Sequence, residues 1–223
     1  MKMTRFEKLI VNREKKGRQN AERVRRCLEQ LDTRAIHDVL ELGCGIGVVS
    51  ALLAQALKFN VCGTDFDPEQ IELARRAYPE NDRLRFKVED ATHLNLPAES
   101  FDLVVAQNVF HHVPNWEAAV HEVSRVLRPE GHFIWFDFAA PNPLRKVLQS
   151  LLRSAGVYTI DDITSAFKGN GLESRAYEKV SHGLFAHHNF VLQKVPLKAA
   201  QSWLGIQRQV PAHPVAHHRN QIQ

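Results

Sequence analysis

Three glycines at alternate positions, Gly43, Gly45 and Gly47, follow the apolar run Val39-Leu40-Glu41-Leu42, with Cys44 and Ile46 between them. Glycines at the break between a buried strand and a helix let the backbone turn sharply. They also let a ligand lie against the main chain, where any Cβ would collide. The spacing decides which ligand. A dinucleotide fingerprint, G-x-G-x-x-G, needs its third glycine where Val48 stands. Glu41, two residues before Gly43, would repel a pyrophosphate and suits a ligand with positive charge near the turn. Further carboxylates end other apolar runs: Asp65 closes Val61-Cys62-Gly63-Thr64, 18 positions after Gly47, and Asp90 closes Leu84 to Glu89. After a fourth run, Phe101 to Ala106, comes Gln107-Asn108-Val109-Phe110-His111-His112-Val113-Pro114, which brings amides and two imidazoles to one loop.

These groups need a scaffold that carries strand ends to one edge. Residues 36–137 alternate strand and helix patterns, which predicts a parallel sheet with helices on both faces. Leu103 to Ala106 is continuously apolar, as expected of a strand covered on both sides. Val48 to Leu57 is apolar at helical spacing and follows the glycine turn. Asp67-Pro68-Glu69-Gln70 predicts a helix start, with Asp67 as N-cap, Pro68 at the first helical position and Gln70 closing a capping box. Asn115 is the expected cap of a helix carrying Trp116, Val120, Val123 and Leu127.

The form E-x-G-x-G-x-G, with its flanking strand and helix, resembles the first motif of class I S-adenosylmethionine-dependent methyltransferases. Asp65, Asp90, the Gln107–Pro114 loop and Val126-Leu127-Arg128-Pro129-Glu130-Gly131 continue the likeness in order, over roughly Ile36 to Lys194. Glu130 stands where a second glycine is usual. The resemblance implies a doubly wound α/β fold: a mainly parallel seven-stranded sheet with an antiparallel last hairpin and helices on both faces. It implies S-adenosyl-L-methionine as cofactor. Glu41, Gly43, Gly45 and Gly47 would shape its methionine end, Asp65 would hold its ribose, and Asp90 and Ala91 its adenine, with Cys44 and Phe66 also expected to touch the cofactor. Gln107 and Asn108 would offer hydrogen bonds. The loop His111-His112-Val113-Pro114-Asn115-Trp116 looks like that of the small-molecule group containing quinone, sterol and natural-product methyltransferases, so the expected partner is a small-molecule acceptor.

Methyl transfer from a sulfonium is an in-line displacement that mostly requires positioning. A base helps when the nucleophile carries a proton. Of the two adjacent histidines, His112 is the expected base, while Asp137, at the end of the fifth strand, could reach the pocket. His187 and His188 could line it too. No Asp/Asn-Pro-Pro-Tyr motif follows the fourth strand and no Pro-Cys pair is present, which disfavours nucleobase acceptors. No metal is expected, since His213, His217 and His218 lack cysteine partners.

Net charge is +4, but it is unevenly spread. Residues 1–34 hold 11 Lys or Arg against 5 Asp or Glu, whereas the remainder holds 18 against 20. A basic arm could touch an anionic membrane surface or RNA. A cofactor-binding module without catalysis is a further alternative. Three cysteines without a C-x-x-C, and an N-terminus with no apolar core, predict a reduced cytoplasmic protein. Oligomeric state is not legible.

The expected organisation is a helical basic arm over residues 1–35 and a methyltransferase domain over 36–194. In the arm Val24, Cys27, Leu28 and Leu31 form an apolar face, and Phe6, Leu9 and Ile10 a shorter patch. Within the domain a helical insertion spans 139–170, with Leu144, Val147, Leu148, Leu151 and Leu152 on one face. The tail over 195–223 has no apolar periodicity and is expected to be disordered.

Overall fold

The computed structural model describes residues 14–152, 154–180 and 186–196. Seven strands form one sheet: β1 (Asp38–Leu42), β2 (Asn60–Asp65), β3 (Leu84–Val88), β4 (Phe101–Gln107), β5 (Leu127–Ala139), β6 (Leu172–Lys179) and β7 (Ala186–Lys194). Their order is β3-β2-β1-β4-β5-β7-β6. The first five are parallel, and β7 runs antiparallel to both β5 and β6. The order reverses between β1 and β4, and a doubly wound sheet opens a crevice at the carboxyl ends of such strands. The glycine turn after β1 and the histidine loop after β4 flank that crevice.

The α-helices among the described residues are α1 (Glu14–Leu28), α2 (Val48–Ala56), α3 (Pro68–Ala77), α4 (Trp116–Val126), α5 (Arg145–Leu151) and α6 (Ile160–Gly169), and all but α5, which buries no residue, cover the sheet. Side chains alternate across the pleat. Val39, Leu103 and Val105 pack with α1, α2 and α3, while Leu40, Leu42, Val104 and Ala106 pack with α4 and α6. Both faces are thus dry, which explains the unbroken apolar runs. Among the described residues no helix is long and apolar enough to cross a membrane.

The described part of the arm, α1, is a component of this core. Val24, Cys27 and Leu28 are buried against the sheet, and Leu31 is partly covered. Burying a Val or Leu side chain contributes about 1.5–3 kcal/mol, so this face holds the helix in place. The Phe6, Leu9 and Ile10 patch, His182 and the tail from residue 197 lie outside the described residues.

Four local expectations need correction. Residues 139–170 do not form one helical insertion. α6 is a sheet-covering crossover helix with Ile163 and Phe167 buried, whereas α5 leaves Val147 and Leu151 exposed. The break between them contains Gly156, where a Cβ would collide with the carbonyl oxygens of Phe110 and Val113. Gln70 closes no capping box, because it is fully buried and neither amide atom has a hydrogen-bond partner. Asp67 alone caps α3, accepting from Glu69 N at 3.1 Å. Asn115 occupies the N-cap position of α4 but makes no capping hydrogen bond, since its side chain lines the cavity described below. β5 starts at Leu127, a residue expected on the preceding helix, and Glu130 lies in its turn at φ +63°. That left-handed conformation is why a glycine suits the position.

Candidate functional site

A cavity of about 870 Å³ opens at the switch point between β1 and β4. Its floor is the glycine turn. Gly43, Gly45 and Gly47 have φ of +65°, +53° and +79°, a region L side chains rarely adopt. A Cβ on Gly43 would collide with Val109 of the histidine loop, so the turn and that loop can meet only because glycine stands there. Gly47 corrects an expectation: it is not on the cavity wall. A Cβ there would meet Phe86 Cζ at 2.7 Å, so it is a packing glycine between the turn and β3.

Asp65, at the end of β2, has its carboxylate aimed by two backbone donors. Oδ2 accepts from Gly45 N at 2.9 Å, and Oδ1 from Asp67 N at 2.9 Å. Each oxygen keeps a second lone pair, the arrangement that a vicinal diol can fill. Burial is the main influence on this carboxyl and pushes its pKa up, against those hydrogen bonds. Phe66 beside it is half exposed and lines the cavity, as do Ala91 and Asp90, whose Oδ1 accepts from Thr92 N at 2.8 Å.

Glu41 is buried and accepts from Ser50 Oγ at 2.5 Å. Burial pushes its pKa up to about 8, opposed by the Ser50 hydrogen bonds and aided by the nearby charge of Asp65. The Cys44 thiol is pushed up well above its ordinary value, first by burial and then by Glu41 and Asp65. It is a protonated wall group and not a nucleophile.

At the other end of the cavity lies the loop after β4. Gln107 and Asn108 line the wall, Asn108 with φ +56°. His111 and His112 both line it as well. A carboxylate stands beside His111, the neighbour of the expected base His112. His111 Nδ1 lies 2.6 Å from Asp137 Oδ1, and its backbone N donates to Asp137 Oδ2 at 3.3 Å. Asp137 is fully buried, and its Oδ1 also accepts from Phe138 N at 2.8 Å. The His111 ring sits between His112 and Phe138, with centroids at 3.9 and 4.3 Å. Behind the loop, Gly156 N donates to His111 O at 3.0 Å and ties it to the chain after α5. Burial, then Asp137, holds the neighbouring Tyr158 hydroxyl protonated.

His187 and His188 are part of β7. His187 lines the cavity and stacks on Phe136 at 5.3 Å, whereas His188 is buried with Nδ1 2.9 Å from the Tyr177 hydroxyl. The sequence reading missed Lys16, Gly17 and Asn20 of α1, which also line the cavity, and Ser50. Lys16, Asn20 and Arg23 follow i, i+4, i+7, so a polar stripe beside the apolar one was the available signal.

A family described as "Methyltransferase domain" matches residues 40–135. The chain is 30% identical over 196 residues to 27-O-demethylrifamycin SV methyltransferase of Amycolatopsis mediterranei, covering 82% of this chain and 68% of that protein. It is 36% identical over 100 residues to 2-methyl-6-phytyl-1,4-hydroquinone methyltransferase of Synechocystis, covering 45% of this chain and 31% of that one. The chain thus spans about a third to two thirds of the length of these curated relatives. Among solved structures, the YcgJ protein of Bacillus subtilis superposes with a TM-score of 0.65 at 20% identity, over 80% of this chain and 99% of that one. That likeness concerns the fold.

Proposed function

Because this chain belongs to the class I S-adenosylmethionine-dependent methyltransferases, we propose that it methylates a hydroxyl of a small-molecule acceptor. The site fits the family's cofactor: a glycine floor that a Cβ would fill, a carboxylate aimed for a diol, and acidic groups where the cofactor is cationic. When bound, S-adenosyl-L-methionine supplies a methyl group on a sulfonium, a carbon ready for in-line displacement. Glu41, Gly43 and Gly45 would hold the methionine end, Asp65 and Phe66 the ribose side, and Asp90 and Ala91 the adenine.

The observation that carries the hydroxyl acceptor is the His111–Asp137 pair at 2.6 Å. With Nδ1–H donated to a buried carboxylate, the imidazole keeps its lone pair on Nε2, the tautomer of a general base. Asp137 then stabilises the imidazolium that forms when Nε2 takes the hydroxyl proton. His112 packs on His111 and restricts its rotation, a supporting part in place of the base expected from sequence. An amine acceptor, by contrast, would meet the imidazoles of His111, His112 and His187 along this wall. The name of the Amycolatopsis relative also contains an oxygen acceptor. The free cysteines Cys27, Cys44 and Cys62 support a reducing, cytoplasmic setting.

The test is mass spectrometry of small-molecule extracts incubated with the protein and methyl-labelled cofactor. A labelled methyl ether is expected, formed far more slowly with His111→Ala. A product labelled on nitrogen, or equal labelling by the variant, would refute the assignment.

A further inference from the structure

The helix α1 brings two polar residues to the cavity wall and a third beside them. Lys16 and Asn20 line its wall, and Arg23 stands one turn further along. Gly17 makes the approach close: a Cβ there would meet Val48 Cγ2 at 2.7 Å. Glycine inside a helix costs about 0.5–1 kcal/mol relative to alanine, so this contact is kept against local preference. Val48 is the first residue of α2, directly after the glycine turn. The contact therefore holds α1 against the helix that follows the glycine turn, with Lys16 on the cavity wall and its charge felt at His187.

Arg23 Nη1 donates to Asn20 Oδ1 at 3.0 Å and to Gln107 Oε1 at 3.3 Å, while its guanidinium lies 3.6 Å from the Phe136 ring centroid. With its oxygen so occupied, the Asn20 amide presents its nitrogen as the remaining polar edge. Lys16 is the sole lysine or arginine among the described residues of the cavity wall, and no described carboxylate pairs with it. Opposite stand Glu41, Asp65, Asp67, Glu89 and Asp90. Among its charged groups the family's cofactor has two cations, ammonium and sulfonium, and one anion, the α-carboxylate. An anion losing its hydration needs donors or a cation, and a wall lined by carboxyl groups is a poor place for it.

We propose that Lys16 Nζ and the Asn20 amide N–H bind the α-carboxylate of S-adenosylmethionine, with Arg23 as the residue that positions Asn20. The arm is then part of the cofactor site and not only a cover. This inference rests on the family's cofactor and is independent of which acceptor is used.

The test compares two cofactors that differ by one group. Dissociation constants of the full chain are measured calorimetrically for S-adenosylmethionine and for its decarboxylated form, which keeps both cations. Lys16→Met should weaken the carboxylate-bearing cofactor about tenfold or more, as for a lost hydrogen bond to a charged group. The decarboxylated form should change less than about twofold on the same basis. Asn20→Asp, of equal size and opposite chemistry, should reverse the preference between the two. Arg23→Met should narrow it while leaving the decarboxylated constant in place. Equal weakening of both cofactors by Lys16→Met, or no change in either, would overturn the proposal. Unchanged cofactor constants with a raised acceptor KM would assign Lys16 to the acceptor instead. Thermal midpoints of each variant separate these outcomes from misfolding.

Discussion

At one end the cavity is shaped by backbone, the left-handed glycines Gly43 and Gly45 after β1, with the carboxyl groups of Glu41, Asp65 and Asp90 set around it. At the other it is shaped by side chains drawn from distant parts of the chain: His111 from the loop after β4, Phe138 from β5, His187 from β7 and Leu152 from the segment after α5. The first end is acidic and the second rich in imidazole. A backbone surface depends on φ values and on the absence of Cβ atoms, so few sequences can make it. A side-chain surface can be rebuilt by substitution without moving the sheet. One scaffold can thus keep its cofactor while its acceptor changes.

That contrast can be broken most sharply at His111. His111→Ala should lower turnover by about 10²-fold or more, with the cofactor dissociation constant nearly unchanged in calorimetry. Asp137→Asn should do the same, because an amide cannot stabilise the imidazolium. A matching loss of cofactor affinity would show that the two ends are not separable. Next in size, Asp65→Ala should weaken cofactor binding by about 1.5–3 kcal/mol. It should leave the acceptor KM alone at saturating cofactor. Away from both ends, substitutions should act on stability and not on binding. Ile163→Ala in α6 empties a fully buried position and should cost about 2–5 kcal/mol of stability in denaturant unfolding. Leu151→Ala in α5, 74% exposed, should change stability by less than about 0.5 kcal/mol. A large loss there would mean that α5 has a partner surface in solution.

The same division governs what the sequence reveals. Gly43, Gly45, Asp65 and the strand–helix alternation are legible because each is local: a conformation that only glycine tolerates, or a period that one element imposes. The seven-stranded order and the antiparallel hairpin follow from that alternation and the family resemblance. A choice between His111 and His112 depends on contacts such as the one to Asp137, 26 residues away in sequence on β5, which no local pattern shows. The place of Lys16 and Asn20 on the cavity wall likewise depends on how closely Gly17 lets α1 approach Val48. The division of residues 139–170 turns on Gly156 meeting the Phe110 carbonyl, another contact between distant segments.

The buried Glu41 couples cofactor binding to proton exchange with solvent. Its pKa of about 8 in the folded chain, against an ordinary 4.5, means that unfolding releases its proton at neutral pH. The unfolded chain binds fewer protons than the folded one between those two values. This group's contribution to stability is therefore full below about pH 4.5 and is lost as pH rises towards 8. An arriving ammonium favours the carboxylate, so binding at pH 7 expels a proton, and affinity climbs with pH until Glu41 is already ionised. The heat of binding should then depend on the ionisation enthalpy of the buffer, with a slope that vanishes in Glu41→Gln. The same variant should flatten the fall in unliganded stability between pH 5 and 8, the region bracketed by the two pKa values, while binding cofactor less tightly. Glu41 would thus set the pH at which the empty protein fills, a property of the surrounding solution recorded at one buried carboxyl.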